Sequence, residues 1–170
     1  MPDTLKRFHG RDLIFCDSSA AIRAHRKLFD FKQDAYIIED NHASIISRLS
    51  DVISGCNSTE PDCCPAKLHI VMNWVNMLRL THWAEKKPAV TELVLVFNKV
   101  GISSQELKPF LSGDIEDIFP WLYYSNKHEV LKKICYATKG TIESKIINPS
   151  TRTYCHLFYE PEGEIVSSSL

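Results

Sequence analysis

The feature that most limits what this chain can fold into is the stretch 68–100, two apolar runs joined by the polar break Glu85-Lys86-Lys87-Pro88. In the first run Leu68, Ile70, Met72 and Trp74 alternate with Lys67, His69, Val71 and Asn73. Strand side chains leave on opposite sides with a period of two, so this alternation predicts a strand. The second run, Leu93-Val94-Leu95-Val96-Phe97, is apolar throughout and predicts a strand covered on both faces. Together they predict a hairpin or adjacent strand pair at the centre of one domain. A helix over 67–83 is the rival, because Leu68, Val71, Met72 and Val75 also recur at spacings of three and four. The polar residues His69, Asn73, Asn76, Arg79 and His82 predict that the first strand is wet or partnered on one side. The sheet is then open, with one face or edge free.

Flanking segments cover that centre. Residues 12–16 (DLIFC) predict a short buried strand, and Asp17, Ser18 or Ser19 can cap a helix running to about Phe29. Residues 35–38 predict a second strand. Asn41 caps a helix carrying Ile45, Ile46, Leu49, Val52 and Ile53, with Gly55 as its stop. Residues 56–66 are loop. Short helices are predicted around Leu107 to Leu111, Ile115 to Leu122 and 127–135. Residues 141–147 and 153–159, flanking Asn148-Pro149-Ser150-Thr151, predict a hairpin. The order is βαβα–ββ–ααα–ββ. The fold class expected is α+β, with a central, mostly antiparallel sheet covered by helices. One domain spans 1–160, and 161–170 is a flexible tail.

A chain of 170 residues with 44% hydrophobic content can build a sizeable core. Its net charge of −1 argues against a global attraction to nucleic acid or anionic membranes. No apolar run reaches the roughly 18 residues that span a bilayer. The first ten residues, MPDTLKRFHG, lack a secretory apolar core. The six cysteines are therefore expected as reduced thiols in a cytoplasmic setting.

No motif declares a chemistry. Structural zinc wants paired ligands at short spacing, and none is present. Cys56, Cys63, Cys64 and His69 can converge around the loop, but the sequence assigns no metal, no cofactor and no catalytic residue. Cys16 leads a strand-to-helix turn, where a helix N-terminus lowers a thiol pKa, which makes a cysteine-dependent enzyme one alternative. There is no GxSxG and no Gly-rich phosphate loop. Lys6, Arg7, Arg11, Arg23, Arg26 and Lys27 make a basic N-terminal end that can meet phosphate or lipid headgroups. Trp121, Tyr123 and Tyr124 form an aromatic cluster whose exposed part is a candidate partner patch.

Two resemblances add to this. LIFCDSSAAIRAHRKLFDFKQDAYIIED resembles the opening strand–helix–strand of a glutaredoxin, with Pro65 ahead of a strand. The redox CxxC position reads Ala20-Ala21-Ile22-Arg23, which implies a thioredoxin-like scaffold without disulfide exchange. Lys139-Gly140-Thr141-Ile142-Glu143, read as opening a strand, is similar to a run in rhabdovirus matrix proteins. The order of amphipathic helix, proline-ended loop and aromatic-rich strand is also similar, and the length resembles that of cytorhabdovirus matrix proteins. The lysine-rich arm and the PPxY or PSAP motifs of that family are absent. The resemblance implies a structural protein of virion and host cytoplasm. It implies self-association, links from nucleocapsid to membrane and peripheral membrane contact. The sequence thus predicts a non-enzymatic structural or interaction protein with protein partners, no sequence-specific nucleic acid and no small-molecule substrate. A module binding a host protein, as a silencing or immune antagonist, is the other alternative.

Overall fold

In the computed structural model, which describes residues 8, 10–57 and 64–170, Asp12–Cys16 forms the central strand β1. Leu13, Ile14, Phe15 and Cys16 are all buried, as a strand with neighbours on both edges and layers on both faces requires. The Ser18 hydroxyl accepts from the Ala21 amide at 3.1 Å and starts helix α1, Ser19–Leu28. Strand β2 (Tyr36–Ile38), helix α2 (Ile45–Cys56) and strand β3 (Lys67–Met72) follow. Helices α3 (Trp74–His82), α4 (Val94–Val100), α5 (Ser104–Leu107), α6 (Ile118–Tyr124) and α7 (His128–Glu143) form one long connection. It ends in strands β4 (Arg152–Tyr159) and β5 (Glu164–Ser168).

The chain is α+β, but the expected mostly antiparallel sheet is wrong. The five strands lie in the order β2-β1-β3-β4-β5. The first four are parallel to their neighbours, and β5 alone runs antiparallel, against β4. Parallel pairs need long crossovers, which α1, α2 and the α3–α7 connection supply.

Three local expectations fail for physical reasons. The first central run is a strand only as far as Met72. There Asn73 turns the chain and its side chain accepts from the Asn76 amide at 2.9 Å, capping α3. The second run is helix, not strand. Leu93, Phe97 and Val100 are buried at helical spacing, while Leu95 between them is 74% exposed. An unbroken apolar run has no period of its own, so only packing separates the two readings. Finally, 141–147 is not the first arm of a hairpin. Helix α7 continues through it to Glu143 because Val130, Leu131, Ile134, Thr138 and Ile142 make one buried stripe. The turn at 148–151 leads instead into β4, and the tail expected to be loose supplies β5.

The sheet has two unequal faces. Leu13, Phe15, Leu68, Ile70, Met72, Cys155 and Leu157 look into the large core with α2, α3, α4, α6 and α7. Ile14, Cys16, Val71 and Phe158 look into a smaller core covered by α1, through Ala21, Ile22 and Ala24, with Phe31 at its margin. Strand parity decides the rest. His69 shares the face of Val71, and His156 that of Phe158, so both imidazoles lie under α1.

Candidate metal centre

Helix α1 carries a third histidine, His25, on the side it turns to the sheet. His25 and His156 are fully buried and His69 is 4% exposed. Each of the three offers a ring nitrogen, and these nitrogens lie within 4.8 Å of one another. The His69 and His156 rings are stacked 3° from parallel with Nδ1 of His69 at 3.0 Å from Nε2 of His156. The His25 ring stands edge-on to both, at centroid distances of 5.4 Å and 4.9 Å.

The outer nitrogens are held from behind. Nδ1 of His25 is 3.1 Å from the Tyr36 hydroxyl on β2, and Nδ1 of His156 is 2.8 Å from the Ser168 hydroxyl on β5. Hydroxyls can accept from these Nδ1–H groups, which leaves His25 with a free Nε2 and turns Nε2 of His156 toward Nδ1 of His69. That is how metal-binding histidines are commonly oriented. The Nε2 atoms of His25 and His69 are buried and have no hydrogen-bond partner. Buried polar nitrogens are normally satisfied, so two in one cluster call for an explanation.

All three imidazoles are neutral at pH 7. Burial pushes His25 down to about 4, with His69 adding to the shift, and burial with Lys67 pushes His69 to about 4. Burial, then His25 and His69, take His156 to about 3. Neutral imidazole is the form that binds metals. A tetrahedral zinc with Zn–N bonds of roughly 2.0–2.1 Å sets its nitrogens about 3.4 Å apart. The ring nitrogens of the cluster, within 4.8 Å of one another, are a looser set than that, so ligation would draw the rings together. Phe29 stacks on His25 at 4.5 Å and meets His156 at 5.3 Å, and Phe31 meets His69 at 5.2 Å, so aromatic rings close the centre.

A second polar cluster sits at the carboxyl ends of β1 and β3. The Asp17 carboxylate is 2% exposed and accepts from the Asn73 amide at 2.7 Å and from Asn76 Nδ2 at 2.9 Å. Asn76 also meets His42 Nδ1 at 2.9 Å. Arg79, 3% exposed, donates to the carbonyls of His42 and Glu85. This cluster ties three chain segments together, and its members satisfy one another.

The sequence-derived candidates are dispersed. Arg23, Arg26 and Lys27 are exposed on α1 and Arg11 is exposed at the start of β1, while Lys6 and Arg7 lie outside the described residues. Trp121 and Tyr123 are half-buried and Tyr124 is 68% exposed on α6. The two groups approach each other at the β4–β5 turn, where Lys27 Nζ donates to the Gly163 carbonyl at 3.0 Å and the Tyr123 hydroxyl donates to Glu162 at 2.7 Å. The loop cluster does not form around His69, which stands with His25 and His156 instead. Cys64 Sγ pairs with the Thr151 hydroxyl at 2.7 Å, and Cys63 lies outside the described residues. Cys16 is fully buried, and desolvation with the Asp17 charge beside it pushes its thiol far up, the reverse of nucleophile activation. The KGTIE run, expected to open a strand, closes α7.

The triad escaped sequence reading because its members are 44 and 87 positions apart and come from α1, β3 and β4. The available signal was a histidine at a core-facing position of each element. Comparison with protein-family models, with curated proteins and with solved structures finds no match. Among the described residues, no helix is long and apolar enough to cross a membrane.

Proposed function

We propose that this chain is a non-enzymatic metal-binding module that holds one zinc-class divalent ion on His25, His69 and His156. The observation that carries the reading is the buried meeting of three neutral imidazoles, with an unpartnered Nε2 on His25 and His69 and hydroxyls on Nδ1 of His25 and His156. Imidazole suits zinc, copper, nickel and iron, and a set without thiolate or carboxylate fits zinc or its neighbours better than magnesium or calcium. The role is structural. His25 comes from the helix that covers the smaller face and the other two come from the sheet, so an ion here pins α1 to β3 and β4. Metal binding to such a site adds directly to folding free energy. Phe29 and Phe31 close the centre against substrate, which is why binding rather than catalysis is the reading.

The test is metal content and affinity. Purified protein dialysed against zinc should retain one equivalent and melt at higher temperature than the chelated form. His156→Gln and His69→Gln, checked for folding by circular dichroism, should retain none. Equal zinc retention by the wild type and both variants overturns the proposal.

A further inference from the structure

A buried centre needs a way in, and the fold offers one at the segment that follows α1. An open cleft of about 370 Å³ lies beside residues 30–35, and Phe31 lines it. The same Phe31 ring packs edge-on to His69 at 5.2 Å and stacks with His25 at 5.8 Å. One half-buried side chain therefore touches both solvent-filled space and two of the three ligands.

The charge of the cleft says what it admits. Asp12, Asp30 and Asp34 line it together with Arg11 and Lys32, so both signs are present and the carboxylates outnumber the cations by one. Asp12 lies 4.0 Å from Lys67, while Asp30 and Asp34 make no ion pair among the described residues. Among the described residues these carboxylates do not gather as a coordination shell, since the histidine triad is the cluster with metal-ligand spacing. Their effect is on approach. Unpaired carboxylates at a cleft mouth raise the local concentration of cations and speed their capture, and salt removes the effect.

The gate segment is lightly tied. Phe29 leaves α1 with extended backbone at φ −133° and ψ 131°. The Phe31 amide donates to the Phe29 carbonyl at 3.1 Å, the Ala35 amide to the Lys32 carbonyl at 3.1 Å, and Arg26 to Gln33 at 3.1 Å. Lys32 makes no side-chain cap on the short turn Gln33–Ala35. Few bonds must yield for the Phe31 ring to swing.

Building on the metal-binding reading above, we propose that the Asp12–Asp30–Asp34 cleft is the capture route for a divalent cation and that Phe31 is its gate. Stopped-flow zinc transfer from a fluorescent chelator, at low and at about 1 M salt, tests this on the full chain. Asp30→Asn with Asp34→Asn should slow loading about 3- to 10-fold at low salt, with no difference at high salt and an unchanged release rate. Phe31→Ala should speed loading and release together by about tenfold or more, leaving Kd nearly constant, since a gate alters the barrier and not the end states. The two exposed aspartates are safe to change if Phe31→Ala fails to fold. Loading by the double variant at the wild-type rate in low salt overturns the route. A Phe31→Ala variant that alters release alone overturns the gate. A wild type that takes up no zinc overturns the metal-binding reading itself, and the route with it.

Discussion

Nδ1 of His69 and Nε2 of His156 face each other at 3.0 Å inside the smaller core, two neutral imidazoles sharing one proton between adjacent parallel strands. Both rings are buried away from solvent. His25 stands across from the pair, Tyr36 meets His25 and Ser168 meets His156, and Lys67 adds a positive field at His69 from the start of β3. Acid is therefore the metal-free protein's weakness.

The first prediction concerns pH. Folded-state values of about 4, 4 and 3 lie below the ordinary histidine value of 6.5, so the unfolded chain binds more protons in that window. With metal removed by chelator, stability should be level above about pH 6.5 and fall steadily toward pH 4. The loss is roughly 3 kcal/mol for one imidazole, and less than three times that for the coupled set. Urea titrations at a series of pH values measure it. A stability curve flat from pH 7 to pH 4.5 contradicts the buried neutral triad.

A second prediction separates the backing hydroxyls from the ligands. Ser168→Ala removes the partner of His156 Nδ1 on an edge strand and leaves the ring in place. Losing such a support costs about 10- to 100-fold in metal affinity. Competition against a zinc chelator should show that loss in Ser168→Ala, and a similar loss in Tyr36→Phe. The circular dichroism of both variants should match the wild type. Unchanged affinity in both would mean that the hydroxyls do not orient the ligands.

A third prediction uses Asp17. Burial raises its carboxyl above the ordinary value, against the hydrogen bonds from Asn76, Asn73 and Ser18 and the nearby His42, which lower it. At neutral pH the fold thus carries a charge that its surroundings disfavour. Stability from this group rises as pH falls through the raised folded value toward 3.8. Asp17→Asn keeps an acceptor oxygen for Asn73 and Asn76 without the charge, so it should match or exceed the wild type at pH 7. That advantage should shrink as the pH approaches 4. Asp17→Ala leaves buried donors unpaired and should lose about 2 kcal/mol. Chemical denaturation at pH 7 and pH 4.5 compares the three. An Asn variant as unstable as the Ala variant would show that the charge itself is needed.

Short-range signals made several elements legible. DLIFC ahead of a serine cap gave β1 and α1, because a buried strand and an N-cap are both written within a few residues. The stripe Ile45, Leu49, Val52, Ile53 gave α2 for the same reason. In residues 93–97 the local code was silent, and the burial of Leu93 and Phe97 against the large core settled it.

By itself, then, the sequence determined that this chain buries a large apolar core, mixes helices with strands and sets a polar residue, His69, inside the inner strand β3. Strand direction was not in it. Parallel pairing depends on which crossover packs on which face, and that is settled by contacts between segments far apart in the chain. The histidine centre belongs to the same class of fact. Parity put His69 and His156 on one side of their strands, but it took the β1-β3-β4 arrangement to set them side by side and the docking of α1 to bring His25 against them. The sequence showed His69 as a polar interruption in a strand, and only the tertiary structure made it one corner of a site.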